Sequence, residues 1–205
     1  MSAATLVLAT RNAGKVAEIR TALADLGLTV LSLQDFPACP DVVEDGTTFA
    51  ANALKKAETV FAHTGFPSLA DDSGLEVDAL GGAPGVHSHR FAGPEEDDAA
   101  NNAKLLTLLA GVPTEKRSAR FRAVLALVWG PEKATTTEGT CEGRILTAAR
   151  GTGGFGYDPL FYLPERGLTL AELPVAEKNA VSHRGAAIRR LRPLLADLIK
   201  KGELG

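Results

Sequence analysis

Two pairs of adjacent carboxylates, Glu44-Asp45 and Asp71-Asp72, are the side chains of this sequence best suited to catalysis or metal binding. The second pair lies where the apolar residues Leu69-Ala70 meet the turn residues Ser73-Gly74, which predicts that a strand ends there. Neighbouring residues on a strand point to opposite faces, so only one of the two aspartates need face a given site. Mg²⁺ prefers one or two protein carboxylates together with substrate phosphates. The pairs therefore indicate either a magnesium site or two solvated loop pairs.

A polar segment with the sequence Thr10-Arg11-Asn12-Ala13-Gly14-Lys15 follows the apolar run Leu6–Ala9. Apolar residues then recur at helical spacing from Val16 onwards, which predicts a strand, a turn and a helix. The first turn of a helix leaves N–H groups without intrahelical partners, and Lys15 adds a positive charge, so this segment suits an anion. It is not a Walker A loop, because the first glycine and the Ser/Thr after the lysine are missing. The alternative is an ordinary helix cap with a surface lysine.

A second glycine-rich segment, residues 151–156, contains the pattern G-x-G-x-x-G. In a dinucleotide-binding fold a helix would begin there. Tyr157-Asp158-Pro159 follows instead, and the residue before a proline avoids the helical region, which argues against that fold. We expect a loop whose glycines bring the backbone close to a ligand while Phe155 offers a stacking face. The alternative is a flexible turn with Phe155 packed in the core.

Donor-rich side chains cluster at Lys178-Asn179 and Ser182-His183-Arg184, where they could read a base edge or hold a phosphate. The exposed start of a helix is the alternative. His87-Ser88-His89 has no cysteine or third histidine nearby in sequence, so the pair does not indicate zinc. Ser73 has no recognisable base partner and no G-x-S-x-G surrounds it, which argues against a serine hydrolase.

The composition sets limits on function. The chain has 205 residues, 45% of them hydrophobic, and a formal net charge of −3 at pH 7, which disfavours a non-specific nucleic-acid binder. No apolar run is long enough to span a bilayer, and residues 1–10 show no signal-peptide pattern. The two cysteines, Cys39 and Cys141, form no disulfide framework. We therefore expect one cytoplasmic domain without membrane or nucleic-acid partners.

The elements that position these residues alternate between short apolar runs and helical patterns, which predicts an α/β fold with a mixed sheet. Pro94, followed by acids, predicts a helix start. Residues 135–141 and 144–148 are typical of the two arms of a hairpin with Gly143 in its turn. Pro193 is expected to kink the last helix or break it in two.

Six motifs, taken in order along the chain, resemble the inosine triphosphate pyrophosphatase family, also called dITP/XTP pyrophosphatases. Any one motif is weak, but the ordered set is highly specific and covers most of the chain. The matching segments are Leu8–Lys15, Gly46–Phe49, Ala70–Leu75, Gly81–Gly85, Gly153–Pro159 and Ser182–Gly185.

The resemblance implies a single catalytic domain over residues 1–205, with an elongated mixed sheet flanked by helices and an active-site cleft between two lobes. It implies a homodimer that hydrolyses non-standard purine nucleoside triphosphates to the monophosphate and pyrophosphate with Mg²⁺. Asp72 would be the proton acceptor and a metal ligand, Glu44 the second metal ligand, and Ser73 a substrate contact. The residues that would bind the triphosphate are Thr10, Arg11, Asn12, Ala13, Gly14 and Lys15. Those that would hold the base are Phe155, Gly156, Tyr157, Asp158, Lys178, His183 and Arg184.

The sequence departs from the family pattern at two places. Ala51 stands where the family has a glutamate before the asparagine that Asn52 matches, so either the metal site has one acid fewer or Asp45 compensates. His87 and His89 stand where the family has an aromatic and a small residue, and we assign them no catalytic role.

Two other functions fit the same residues. A non-catalytic nucleotide-binding protein would use the same segments but would not need Glu44 and Asp72 near the phosphates. A metal-dependent phosphatase would release orthophosphate instead of pyrophosphate. Sequence spacing does not choose which phosphorus is attacked, and only the family resemblance favours the pyrophosphatase.

Overall fold

A computed structural model describes residues 4–204 and has the expected α/β composition. The strands are β1 (Thr5–Leu8), β2 (Thr29–Ser32), β3 (Ser68–Val77), β4 (Ser118–Gly130), β5 (Lys133–Ile145), β6 (Phe161–Leu163) and β7 (Leu168–Thr169). The helices are α1 (Ala13–Leu23), α2 (Phe49–Thr64), α3 (Asp98–Leu108), α4 (Val175–Val181) and α5 (His183–Lys201). Short 3₁₀ segments connect several of them.

The strands form one mixed sheet in the order β2-β1-β3-β4-β5-β6-β7. The first strand pairs in parallel with both β2 and β3, while β6 pairs antiparallel with β5 and β7. The chain divides into two compact units. Unit 1 holds residues 4–72, 123–139 and 184–204, and unit 2 holds Ser73–Arg122 and Thr140–His183.

Unit 1 contains two strand–helix–strand crossovers, which are needed to connect neighbouring parallel strands. Asn12 caps α1 by accepting a hydrogen bond from the Lys15 backbone N–H at 2.9 Å, and Thr48 caps α2 in the same way. The apolar faces of α1 and α5 pack on the sheet and close one core. Its members include Leu6, Leu8, Ile19, Leu23, Leu125, Leu127, Ile188, Leu191 and Leu195, with half-buried Trp129 against them.

Unit 2 has its own core. Leu105 of α3 and Leu109, the residue after its last turn, pack with Phe121, Phe161 and other buried residues of the unit. The rings of Phe121 and Phe161 lie 4.6 Å apart between centroids. Both tyrosines of the chain, Tyr157 and Tyr162, belong to this unit.

Three local predictions are wrong. The third strand does not end before Asp71 but continues to Val77, because Leu75 and Val77 supply further buried positions. No turn forms at Gly143: β5 runs straight through it, and a Cβ there would lie 2.6 Å from the Phe161 ring. This glycine therefore permits close approach of a neighbouring side chain, and the partner of β5 in the hairpin is β4.

The predicted helix start at Pro94 is also displaced. Glu96 has a φ of 55°, outside the helical region, and α3 begins at Asp98 with Asp97 as its cap. At Pro193, where the sequence predicts a kink or a break, the break does not occur, since α5 is continuous from His183 to Lys201. Its buried apolar face holds the helix together despite the missing N–H.

Candidate active site

The predicted metal ligands Glu44 and Asp72 lie together in unit 1, on either side of a lysine. The Nζ of Lys56 is 3.0 Å from Asp72 Oδ1 and 3.2 Å from Glu44 Oε1. Asn52 donates from Nδ2 to Asp72 Oδ2 at 3.2 Å, and its Oδ1 accepts from the Gly46 N–H at 2.8 Å. Asn52 thus joins the loop that carries Glu44 to the strand that carries Asp72. We call Glu44, Asn52, Lys56 and Asp72 the acid–lysine cluster.

The pKa values of the two carboxyl groups in this cluster are shifted in opposite directions. Burial raises the pKa of Asp72 to about 6, and a hydrogen bond that the protonated Asp72 donates to the Glu44 carboxylate adds to the rise, although the Lys56 charge opposes it. Burial is the largest effect on Glu44 and opposes its ionisation, but Lys56, the hydrogen bond from Asp72 and Lys15 together lower the pKa of that carboxyl. The two acids in turn raise the pKa of Lys56 despite its burial. Asp72 is therefore the carboxyl group with a pKa suited to proton transfer near neutral pH.

The Asp71 side chain points away from this cluster and pairs with other charged residues. Its carboxylate accepts from Arg184 Nε at 2.8 Å and Nη2 at 3.1 Å, and Lys15 Nζ lies 2.7 Å from its Oδ1. Arg184, only 1% exposed, also donates from Nη1 to Glu18 at 2.6 Å. Burial opposes ionisation of Asp71, but Arg184 and Lys15 outweigh it and hold its pKa well below the usual value. We call Lys15, Glu18, Asp71 and Arg184 the arginine network.

The main-chain carbonyl of Asp71 connects the two groups of charges. It accepts hydrogen bonds from Lys15 Nζ at 3.3 Å and from Lys56 Nζ at 2.9 Å. The lysine of the predicted phosphate segment and the lysine beside Asp72 are thereby held on one carbonyl oxygen. Both ammonium groups consequently stand near Asp72, and both act to lower the pKa that burial raises.

The predicted triphosphate segment, Thr10 to Lys15, follows β1 and includes the beginning of α1. Thr10 accepts at its hydroxyl oxygen from the Asn12 N–H at 3.1 Å, which shapes the turn. The guanidinium of Arg11 donates instead to the carbonyls of Leu33 and Cys39, at 3.1 and 3.0 Å. It also lies 3.3 Å from Asp41. The Arg11 side chain therefore fastens the loop that follows β2, whereas Lys15 carries the positive charge of the segment inward.

The acid–lysine cluster offers Mg²⁺ two carboxyl ligands, so substrate phosphates would have to complete the coordination shell. Within residues 4–204 no group of three or more His, Cys, Asp or Glu side chains is arranged to hold a metal ion. Glu44 and Asp72 are two close, oxygen-donating carboxyl groups, which is the number Mg²⁺ takes when substrate phosphates complete its shell. Asp45 does not join them: its side chain is 68% exposed and pairs with Lys55 at 2.7 Å. These contacts favour the alternative in which the metal site has one acid fewer.

Unit 2 holds the predicted base contacts around residues 154–158, which we call the purine loop. Asp158 accepts from Lys178 and, at 2.9 Å, from the Phe155 N–H. Lys178 Nζ also lies over the ring of Phe155, 4.7 Å from its centroid. The Phe155 ring is half-buried, so it is neither a core residue nor a free surface group. These contacts bring Phe155, Asp158 and Lys178 together.

The other predicted contacts of unit 2 have protein partners. Tyr157 is buried and donates from its hydroxyl to the Ser88 carbonyl at 2.8 Å. His183 stacks on Phe121, with 4.7 Å between centroids and 12° between planes. Ser73 is half-buried on β3 directly after Asp72. Tyr157 and His183 are thus fixed in place by the unit 2 core.

Sequence reasoning assigns no role to Asn52 and does not single out Lys56, although both contact Asp72. Both lie on α2 at a spacing of four residues, beside the buried positions Ala53 and Ala57. An amide and an ammonium on the apolar side of an amphipathic helix are the signal that would have found them, since buried polar groups need partners. The pairing of Asp71 with Arg184 joins residues 113 positions apart, and no local pattern indicates it.

An α/β fold with a buried aspartate beside a second carboxyl group, two inward-facing lysines and a strand–turn–helix segment defines a protein suited to bind and hydrolyse a phosphorylated compound. No helix among residues 4–204 is long and apolar enough to cross a membrane. The chain belongs to the Ham1 family, whose model matches residues 6–194.

Relatives with assigned names support this membership. A dITP/XTP pyrophosphatase of Desulforamulus reducens is 56% identical over 190 residues, which cover 93% of this chain and 94% of the relative. One of Geobacter sulfurreducens is 57% identical over 91% of this chain and 94% of its own length. Among solved structures, a HAM1 protein from Coxiella burnetii superposes with a TM-score of 0.84 at 42% identity, covering 95% of this chain and 99% of that one. The matches thus extend over nearly the whole chain.

Proposed function

We propose that this chain hydrolyses non-standard purine nucleoside triphosphates, ITP, dITP, XTP and dXTP, to the monophosphate and pyrophosphate, and so removes them from the nucleotide pool. The observation that carries the proposal is the acid–lysine cluster. It contains a buried aspartate with a pKa of about 6, beside a second carboxyl group and a lysine. The similarity to dITP/XTP pyrophosphatases supports the substrate class.

In the proposed reaction, Asp72 accepts a proton from the water that attacks the α-phosphorus. A base works best when its pKa lies near the operating pH, and burial supplies that shift here. Asn52 orients the carboxyl group through its hydrogen bond. Because phosphoryl-type transfer depends mainly on positioning and electrostatics, no protein nucleophile is required.

The charge of the triphosphate is met by three kinds of group. Lys15, together with the N–H groups at the start of α1, binds phosphate oxygens, and Lys56 adds a second ammonium group beside Asp72. Glu44 and Asp72 would hold Mg²⁺, which when bound neutralises charge on the phosphate oxygens and the leaving pyrophosphate.

Base recognition belongs to unit 2 in this proposal. Phe155 stacks on the purine, and stacking adds affinity without choosing among purines. Lys178 only donates hydrogen bonds, so it suits the 6-oxo acceptor of hypoxanthine or xanthine and not the amino group of adenine. Arg184, which the family resemblance also assigns to the base, belongs to unit 1, where its guanidinium donates to Asp71 and Glu18. Each mismatch is worth about 1–3 kcal/mol, so adenosine triphosphate should be cleaved about 10- to 100-fold less efficiently.

The finer features that the family resemblance implies complete the proposal. We propose that the chain acts as a homodimer in the cytoplasm. Light scattering on the purified protein would test the dimer, and a mass of one chain across a wide concentration range would exclude it.

A product assay tests the reaction. The protein is incubated with ITP, with and without Mg²⁺, and pyrophosphate and orthophosphate are separated and quantified, with ATP as the competing substrate. Pyrophosphate and IMP in equal amounts, with Mg²⁺ required, are expected. Orthophosphate as the product would identify a metal-dependent phosphatase, and binding of ITP without turnover would identify a nucleotide-binding protein.

A further inference from the structure

Two side chains in the first turns of α3 form hydrogen bonds with the backbone of the purine loop. Asp98 accepts the Gly156 N–H at its Oδ2 at 2.7 Å, and Asn102 donates from Nδ2 to the Gly156 carbonyl at 2.8 Å. Both polar backbone groups of Gly156 are therefore bonded to one face of α3, because residues four apart lie on the same side of a helix. Gly156 itself has a φ of 60°, the left-handed region that glycine adopts without strain.

The orientation of the Asn102 amide is fixed by its own contacts. Nδ2 donates a second time, to the Asp98 carbonyl at 2.8 Å, so the amino side of the amide is the one facing carbonyl oxygens. Its Oδ1 is buried and has no hydrogen-bond partner within the described part of the chain. An asparagine with this geometry cannot turn over without opposing oxygen to oxygen, and it therefore holds the Gly156 carbonyl at a defined position.

The position of Gly156 determines where its neighbours lie. Phe155 precedes it and donates its N–H to Asp158, while Asp158 in turn donates its N–H to the Phe155 carbonyl at 3.2 Å. Lys178 is bound to Asp158 and lies over the Phe155 ring. A shift of the Gly156 peptide would therefore move the stacking ring, the carboxylate and the ammonium group together.

We propose that Asp98 and Asn102 are positioning residues for purine recognition: they fix the Gly156 peptide and thereby set the register of Phe155, Asp158 and Lys178 against the base. The inference rests on the proposed function, since it assumes that the purine loop contacts the substrate base. Neither residue needs to touch the substrate itself. Their effect should accordingly fall on discrimination between bases and not on the phosphate end of the substrate.

The same helix provides a matched control. Asn101, next to Asn102 and buried, makes the same kind of contact with a different loop: it accepts from the Ala92 N–H at 2.6 Å and donates to the His89 carbonyl at 2.9 Å. Asn101→Asp and Asn102→Asp are equally conservative in shape. In each variant one amino group that donates to a carbonyl becomes an oxygen. Only Asn102→Asp disturbs the purine loop.

The test measures kcat/KM for ITP and ATP in the wild type and in four variants: Asp98→Ala, Asp98→Asn, Asn102→Asp and Asn101→Asp. We expect the ratio of ITP to ATP to fall about 10-fold in Asp98→Ala and Asn102→Asp, because the half-buried Gly156 peptide loses a hydrogen-bond partner. Asp98→Asn keeps an oxygen acceptor and should retain the ratio, as should Asn101→Asp. Inhibition by inorganic tripolyphosphate, which has no base, should be unchanged throughout.

A second measurement does not depend on catalysis. Hydrogen exchange of the Gly156 amide should be faster in Asp98→Ala than in the wild type and unchanged in Asn101→Asp. Folded Asp98→Ala and Asn102→Asp proteins with the wild-type ratio would overturn the inference and leave the proposed function intact. An equal fall in Asn101→Asp would also overturn it, since the effect would then be general. A wild type that cleaves no purine triphosphate would overturn the proposed function, and unchanged Gly156 exchange would then overturn the positioning contact as well.

Discussion

Asp71 and Asp72 are consecutive residues of β3, and the two faces of the strand give them opposite chemistry. The Asp71 carboxylate is fully buried between Arg184 and Lys15, and its pKa lies well below the usual range. Asp72, which shares Lys56 with a second carboxyl group, has a pKa raised to about 6. Both are buried, so burial alone does not decide protonation: the number of cations per carboxylate does. The face of β3 that carries Asp71 keeps its carboxylate ionised, and the face that carries Asp72 holds a carboxyl group that can exchange a proton near neutral pH.

The largest expected effect is the loss of stability when the Asp71 carboxylate is removed. Asp71→Asn leaves Arg184 buried with Glu18 as its remaining carboxylate partner among those described, so the free energy of unfolding should fall by about 3 kcal/mol. Urea unfolding at pH 7, followed by circular dichroism, measures it. Asp72→Asn is the matched variant one residue away and should lose less stability. Equal losses would show that the two faces do not differ in the way their pKa values indicate.

Removing the Asp72 carboxylate, on the other face of β3, should lower turnover. Asp72→Asn is nearly isosteric and should fold, but kcat for ITP should fall at least about 100-fold because the proton acceptor and a proposed metal ligand are lost. Steady-state kinetics with saturating Mg²⁺ provide the measurement. Near-normal turnover in a folded Asp72→Asn protein would transfer the role to Glu44 or Asp71.

The titration of the two carboxyl groups sharpens the comparison directly. In protein stripped of divalent cations, carbon-detected NMR should give a midpoint of about 6 for Asp72 and a midpoint well below 3.8 for Asp71. The linked effects on stability have opposite signs. The folded state holds the Asp72 proton more tightly than the unfolded chain, so this group lowers stability as the pH rises from 3.8 to about 6. Asp71 stabilises the fold above its unfolded pKa, and that contribution is lost as the pH falls through its folded pKa. A common midpoint would contradict the assignment.

The smallest expected effect concerns the lysine bound to Asp71. Lys15→Ala should weaken triphosphate binding about 10-fold and monophosphate binding far less, because Lys15 is proposed to contact phosphate oxygens beyond the first. Calorimetric titration with ITP and IMP, using Asp72→Asn as a background to limit hydrolysis, compares the two ligands. The exposed Lys55→Ala variant, next to Lys56 on α2, is the control. Equal weakening of both ligands would mean that Lys15 acts through Asp71 on the structure.

The sequence was sufficient for the α/β class and for the segments that carry the candidate site, because turns, caps and apolar runs are local signals. Asp72 could not be separated from Asp71 by sequence physics, since alternation places them on opposite faces without saying what each face meets. The answer depends on Arg184 and Lys56, which no local spacing connects to β3. Gly143 shows the same limit: a glycine typical of a turn is required instead by the Phe161 ring of a later strand.

The distribution of aromatic side chains has a practical consequence for experiments on the whole molecule. The one tryptophan of the chain, Trp129, belongs to unit 1, while both tyrosines, Tyr157 and Tyr162, belong to unit 2. Each unit therefore carries its own natural chromophore. Indole fluorescence excited beyond the tyrosine absorption band reports the melting of unit 1 alone, and the tyrosine bands of the near-ultraviolet spectrum report unit 2. Unlabelled protein is thus enough to learn whether the two units unfold as one cooperative system or in separate steps.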